Sequence, residues 1–373
     1  MEANQHRTWA EISLRAIEHN YQVICDWAKS PVMAVVKANA YGHGAVPVAK
    51  RLEKMGAPYF AVATMSEAIE LRENGIQAPI IILGYIDAAD MDEAVKQHIT
   101  APIYDRETAE LLSAAAVRAG QQLTVHFKLD TGMTRLGFPS WEFRQTVAEI
   151  LSLAQLPGLQ AEGIFTHFAV ADVPSGTSYT ALQYRRFKDV CDGLAAGGLN
   201  LPLRHCANSG AIQHHQKMHC TMARAGIILY GYRPDASVPP VLDLHPAMTV
   251  KARVIQVRDI PAETTISYGR TYETRETTRV AVLSIGYADG YFRTASGKAH
   301  VLIDGVKTPV LGRICMDMCM AQIPDGVTVR RGDEVIIFGT DKLTADDVAD
   351  AAGTISYEVL CAMSHRVPRF YLD

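Results

Sequence analysis

Residues 35–44 read VVKANAYGHG, and this stretch sets the expectation for the rest of the chain. Val32, Ala34, Val35 and Val36 make a short apolar run of the kind buried on both faces in a parallel sheet. Lys37 ends the run. A lysine at the carboxyl end of a buried strand stands where an α/β barrel places its chemistry, and Gly42 and Gly44 relax the steric limits on a loop that must approach a ligand. The competing account is a strand-end lysine that snorkels to water.

Outward from this strand, similar apolar runs recur around 59–63, 80–83, 100–104, 123–129, 161–166, 203–206 and 222–230, which with the Lys37 strand makes eight. Helical patterns such as 66–74 and 106–119 fall between them, and a strand-like 8–13 leads into an amphipathic stretch from Leu14 to Trp27. Eight alternating units predict an α/β fold, a closed (β/α)8 TIM-like barrel. Near Pro239 and Pro240 the pattern changes. From Met248 onward VKARVIQV, RVAVLSIG, AHVLIDG, TPVLGRICMDM and DEVIIFG are short strands between Gly, Pro or Asp turns, with no long helix until about 344–352. A mainly β C-terminal domain is predicted there.

Composition narrows the function classes. The 373 residues carry 36 Lys and Arg against 40 Asp and Glu, a net charge of -4, with no basic block to hold nucleic acid. Neither end has an apolar run long enough for a membrane span, and MEANQHRTW is too polar for a signal peptide. The expectation is a cytoplasmic enzyme with a small-molecule substrate and neither nucleic acid nor membrane as partner. Seven cysteines without a CxxC pair argue for reduced thiols.

Several local patterns carry less than they first suggest. Gly42 and Gly44 do not open a dinucleotide fingerprint, since Pro47 stands where the third glycine belongs. His214, His215, His219 and Cys220 match no standard zinc spacing, so no metal is expected. Cys315, near Asp317, lacks a local histidine base and reads as a packed thiol. More informative are Asn208, Ser209 and Gly210 after the seventh strand and Arg224 and Gly226 at the eighth, where barrels often bind phosphate. A lysine for an aldehyde and a pocket for a phosphate together fit pyridoxal 5'-phosphate.

AVVKANAYGHG, KLDTGMTRLGF, GIFTHFA, HCANSGA, ARAGIILYG, SYGRTY, IGYADGY, GRICMDM and ISYEVL stand in the order and spacing of the alanine racemases, and the chain is identified as resembling that family over nearly its whole length. The resemblance implies a pyridoxal-phosphate-binding barrel over 12–240 and a β domain over 241–373 joined by the N-terminal strand 1–11. It also implies a head-to-tail homodimer with composite active sites.

Removal of the alanine Cα proton requires an electron sink, which an imine with pyridoxal phosphate provides. Racemisation needs the proton to leave one face and return to the other, most simply with two acid/base groups. By resemblance these are Lys37, handling the D-alanine proton, and Tyr268 of the partner subunit, handling the L-alanine proton. Nearby positive charge favours both a neutral amine and a phenolate. The resemblance sets Arg224 against the pyridine nitrogen and His167 in a hydrogen-bond chain toward Tyr268. It gives the phosphate to Tyr41, Ser209, Gly226, Ile227 and Tyr357, beside the Asn208 already noted. Arg135 and the backbone N–H of the partner's Met316 would hold the substrate carboxylate. Lys128 matches a position that is N-carbamylated in some members, and Tyr287 and Asp289 resemble residues of a substrate entrance. Three other classes share parts of this plan. A serine or broad-specificity racemase would need a roomier pocket than Tyr357 suggests. A barrel decarboxylase would place an acid where Arg224 stands. A nonenzymatic pyridoxal-phosphate carrier would lack the β domain and Tyr268. A role in supplying D-alanine for peptidoglycan follows from the resemblance.

Overall fold

The computed structural model describes residues 6–373, which fall into two compact units. One comprises 18–40 and 45–244; the other comprises 6–17, 41–44 and 245–373. Of the expected N-terminal strand 1–11, residues 1–5 lie outside the described residues, and the strand itself runs Thr8–Ser13.

In the first unit eight parallel strands pair in the order Ala223–Ala225, Val32–Val35, Phe60–Val62, Ile80–Ile82, Ile99–Ile103, Leu123–Asp130, Leu159–Phe165 and Leu203–His205. The seam between the last and the first is drawn together by Thr221 N–H to Arg204 C=O at 3.1 Å and Arg224 N–H to Ala207 C=O at 3.0 Å, giving a nearly closed TIM-like barrel. Most of the strands are buried throughout, as apolar runs in a parallel sheet must be. The helices between them start and stop where their caps dictate. Asp105 accepts the Thr108 N–H at 2.8 Å at the start of Arg106–Ala119, and Gly120, with φ +64°, ends it in the left-handed conformation.

The run 222–230, expected as one strand, is two elements. Ala223–Ala225 is strand, Gly226 leaves extended geometry at φ -106°, ψ -108°, and Ile227–Tyr230 forms a short 3-10 turn. Apolar periodicity could not separate them, because all four residues of the turn are buried as completely as the strand.

The second unit is mainly β. Its axis is the thirteen-residue strand Met248–Ile260, which pairs antiparallel with Thr8–Ser13, Thr278–Leu283 and Glu334–Phe338. Thr8–Ser13 also pairs in parallel with Arg369–Leu372, so the first and last strands of the chain are neighbours. Trp9 is fully buried here, with the Arg253 guanidinium 4.6 Å from its ring.

Candidate active site

Strand Val32–Val35 ends two residues before Lys37, and the backbone then enters a left-handed turn. Ala38, Asn39, Ala40 and Tyr41 all have φ of 52–53°. Each such residue costs about 1–2 kcal/mol relative to right-handed geometry, so the turn requires external support. Glu67 supplies part of it: one carboxylate oxygen accepts the Ala38 N–H at 2.6 Å and the other the Ala63 N–H at 2.7 Å. The Asn39 side chain accepts the Ala45 N–H at 2.8 Å, and Ala40 N–H reaches the Val36 carbonyl at 2.8 Å. This turn is not legible in the amino-acid sequence, since alanines and tyrosine do not favour left-handed backbone.

Lys37 lines a cavity of about 360 Å³ with Lys128, Arg135, His167 and Arg224, beside Tyr85 and Phe165. These side chains come from or just after the carboxyl ends of the barrel strands, and the size suits a small ligand. Among the described residues no carboxylate lines this cavity. The excess of positive charge shows in its titrating groups. Burial, then Arg135, Arg224 and Lys37, lower the Lys128 pKa to about 8. Burial, then Arg224, hold His167 well below the ordinary imidazole value, so its ring is neutral.

Arg224 is fully buried, and burial is the largest cause that lowers it to about 10, ahead of the opposing pull of Cys206 and Cys220 and the push of Arg135; the side chain is fixed on every side. Its Nη1 donates to the His205 carbonyl, and its Nη2 donates to the carbonyls of Thr166 at 2.7 Å and Cys206 at 3.2 Å. The His167 Nδ1 lies 3.3 Å from Nη2. Nη1 also stands 3.0 Å from His205 Nδ1, where a chain of contacts begins. His205 Nε2 lies 2.9 Å from His126 Nδ1, and His126 Nε2 lies 2.9 Å from a Glu162 carboxylate oxygen, which accepts the Tyr59 hydroxyl at 3.0 Å. A guanidinium has only donors, so His205 accepts at Nδ1 and carries its proton on Nε2. That proton is donated to His126 Nδ1, which leaves His126 protonated on Nε2 toward Glu162. Every donor in the chain therefore points from Arg224 toward one carboxylate. Gly163 makes room for it: a Cβ there would stand 2.7 Å from the His126 ring. His126, His205, Glu162, Tyr59 and Glu67 were not singled out from sequence, although polar residues in otherwise apolar strands were a visible signal.

Asn208 and Ser209 connect the seventh and eighth strand ends. The Asn208 side chain accepts the Ala211 N–H at 3.0 Å and caps Ser209–His214, while the Ser209 hydroxyl accepts the Gly226 N–H at 3.0 Å just before Ile227. The Ser209 hydroxyl, which accepts here and keeps its own proton to donate, is the kind of strand-end group that suits a phosphate.

The remaining candidates belong to the β unit. Tyr41 and Tyr357 pack together with ring centroids 6.0 Å apart, and burial raises the Tyr41 phenol. Gly42, at φ +82°, brings the backbone so close to Leu360 that a Cβ would lie 2.2 Å from its carbonyl oxygen. Tyr268, Met316 and Tyr287 are exposed, Tyr268 by 67%. Their loops are tied to one another. The Ser267 hydroxyl donates to the Arg313 carbonyl, and Tyr287 and Ala288 N–H groups donate to the Cys315 and Met316 carbonyls, each at 3.0 Å. Asp289, expected beside Tyr287 at a substrate entrance, has a fully buried side chain. Its carboxylate is paired with Arg7 and, at 3.4 Å, with Arg366, and it accepts the Gly286 N–H at 3.0 Å. It shapes the turn beneath Tyr287 rather than facing solvent.

Residues 12–234 match the family "Alanine racemase, N-terminal domain" and residues 247–371 match "Alanine racemase, C-terminal domain". The alanine racemase of Desulforamulus reducens is 46% identical over 367 residues, covering 98% of each chain. Among solved structures, the Clostridium difficile 630 alanine racemase superposes with a TM-score of 0.95 at 42% identity, covering 98% of this chain and 96% of that one. The biosynthetic alanine racemase of Pseudomonas aeruginosa gives 0.87 at 35% identity, covering 99% and 100%.

Proposed function

We propose that this chain, which belongs to the alanine racemase family, interconverts L- and D-alanine with two proton-carrying side chains, Lys37 and Tyr268 of the partner subunit, on opposite faces of the substrate. It is an isomerase of the amino-acid racemase class. The observation that carries the reading is the cavity shared by Lys37, Lys128, Arg135, His167 and Arg224, which holds a reactive amine within a cationic lining. Such a site suits a substrate carboxylate together with a cofactor that has an aldehyde and a phosphate, which is the chemistry of pyridoxal 5'-phosphate.

Lys37 would hold the aldehyde end. Asn208, Ser209, Gly226 and Ile227, with Tyr41 and Tyr357, would hold the phosphate, and His167 and Arg224 the ring. The bound cofactor supplies an electron sink that makes the alanine Cα–H acidic enough to remove. Arg224, a donor on every nitrogen, would stand toward the ring nitrogen without giving up its proton. The Lys37 amine carries the proton on the D-alanine face and the phenol of the partner's Tyr268 on the L-alanine face. Arg135, with its bidentate fork, and the backbone N–H of the partner's Met316 hold the substrate carboxylate. Lys128, carried as a carbamate, would orient Arg135, and Tyr287 would border the entrance. The homodimer is supported by the exposure of Tyr268, Met316 and Tyr287, which a partner subunit would cover.

Among the described residues no helix is long and apolar enough to cross a membrane, and we place the enzyme in the cytoplasm, supplying D-alanine for peptidoglycan. Chiral chromatography of a panel of alanine, serine and larger amino acids, with cofactor added, tests the reading. Alanine should be racemised fastest, and equal turnover of serine would move the chain to the broad-specificity class. Lys37→Ala should lose both directions. Mixing Lys37→Ala with Tyr268→Phe subunits should restore activity, since one site of each heterodimer carries neither defect; exchange without recovery would exclude a shared site.

A further inference from the structure

Cys206 and Cys220 bring their sulfurs to 3.4 Å, although their chain positions are separated by a helix and a 3-10 turn. Cys206 is fully buried and its thiol also lies 3.0 Å from the Met218 carbonyl. Cys220 is half-buried, sits in left-handed backbone at φ +57°, and lines a cavity of about 280 Å³ with Tyr184, Lys188, Cys191 and Arg204. The two thiols are unequal. The Cys206 S–H bond, Arg204 and the Tyr184 hydroxyl favour the Cys220 thiolate over its burial, whereas burial pushes Cys206 up. Cys191, which shares the cavity, is pushed up to about 12 by burial. His219, one of the nearby metal-type side chains in sequence, has Nδ1 facing the Ala28 carbonyl at 3.1 Å and Nε2 facing the Ile212 carbonyl at 3.1 Å. The close partner of the Cys220 sulfur is thus a second sulfur.

We propose that Cys206 and Cys220 are an oxidant-reactive pair that closes to a disulfide when a hydroperoxide enters the Cys220 cavity. A thiol that opens on a cavity, whose ionised form its neighbours favour, beside a second thiol 3.4 Å away is the arrangement of a redox-reactive cysteine. In the first step the Cys220 thiolate attacks a peroxide oxygen; the S–O bond forms, the O–O bond breaks, and the departing hydroxide or alkoxide takes up a proton. Cys220 is then a sulfenic acid. In the second step the Cys206 sulfur attacks the Cys220 sulfur; the S–S bond forms, the S–O bond breaks, and the Cys206 proton leaves with the hydroxide as water. Two thiols lose two electrons and one peroxide gains them. Closure requires the sulfurs to approach by about 1.4 Å. The bond would stand directly behind Arg224, whose Nη2 donates to the Cys206 carbonyl.

Limited hydrogen peroxide treatment of the holoenzyme, alkylation and peptide mapping without reduction test this. Free thiols should fall from the seven of the chain to two fewer, in a single cross-linked species containing Cys206 and Cys220, and should return to seven with dithiothreitol. Cys206→Ser should accumulate a sulfenic acid at Cys220 that dimedone traps, and Cys220→Ser should yield neither cross-link nor adduct there. The wild-type map decides the matter even where a variant does not fold. Oxidation falling first on the exposed Cys361, a cross-link joining other cysteines, or seven thiols surviving a roughly tenfold excess of peroxide would overturn the assignment.

Discussion

Lys128 gives a direct measurement of the electrostatics of the cationic cavity. Its side chain is buried, its ammonium donates to the Leu83 carbonyl at 2.8 Å, and its pKa is lowered to about 8 from the 10.5 of a free lysine, by burial first and then by Arg135, Arg224 and Lys37. The folded chain therefore releases this proton first. Between about pH 8 and 10.5 the unfolded chain binds more protons, so the free energy of unfolding rises with pH; below about 8 both states are protonated and this group contributes no slope. The gap corresponds to about 3 kcal/mol, present as a penalty at neutral pH and relieved as the solution becomes alkaline. Lys128→Met keeps the length and removes the charge. It also leaves the Leu83 carbonyl without this donor, a cost of about 1–3 kcal/mol that does not vary with pH. Urea unfolding of both proteins in buffer freed of carbon dioxide, which keeps Lys128 an unmodified amine, isolates the titration from pH 7 to 10.5, because the constant offset cancels in the slope. The wild type should gain about 3 kcal/mol on the variant across that range. A difference flat to within about 0.5 kcal/mol would refute the depressed pKa and the electrostatic account of the cavity. The neutral amine is also the form that reacts with carbon dioxide, so labelled bicarbonate at about pH 8 should give a carbamate carbon resonance that Lys128→Met lacks.

Glu162→Leu should cost about 1–3 kcal/mol in chemical unfolding, because the buried His126 N–H loses its acceptor while the Tyr59 hydroxyl can still turn to Thr100, and Glu162→Gln should cost about 1 kcal/mol or less. Nitrogen NMR should find the proton of both His126 and His205 on Nε2; a proton on Nδ1 of either would break the inferred chain. Gly163→Ala should lower stability by about 1–3 kcal/mol, read as a lower Tm, since its Cβ meets the His126 ring at 2.7 Å. Glu67→Ala should lose most racemase activity, with about 1.5–3 kcal/mol of stability, by releasing the Ala38 N–H that helps hold the left-handed turn after Lys37; unchanged kcat would show that the turn persists without it.

Local pattern was sufficient wherever one short stretch carried the physics. The apolar run at Val32–Val36, its recurrences and the turn-rich chemistry after Pro240 established a barrel followed by β structure, because burial on both faces of a parallel strand leaves its mark in consecutive residues. Lys37, Arg224, Ser209 and Gly226 were legible for the same reason: they are polar or small residues at strand ends. The break at Gly226 was not, since a buried 3-10 turn and a buried strand are equally apolar. Nor was the chain from Arg224 to Glu162. Its His126–His205 contact spans 79 residues and exists only once the barrel closes, and the proton placement follows from which atoms then face each other. The left-handed backbone from Ala38 to Tyr41 belongs to the same class, because it runs against local preference and draws its support from Glu67, 29 residues away from Ala38. Sequence thus determined which residues were available for chemistry, and tertiary structure decided their orientation, their protonation and which of them share a wall, because hydrogen bonds and charge act across distances the linear chain does not encode.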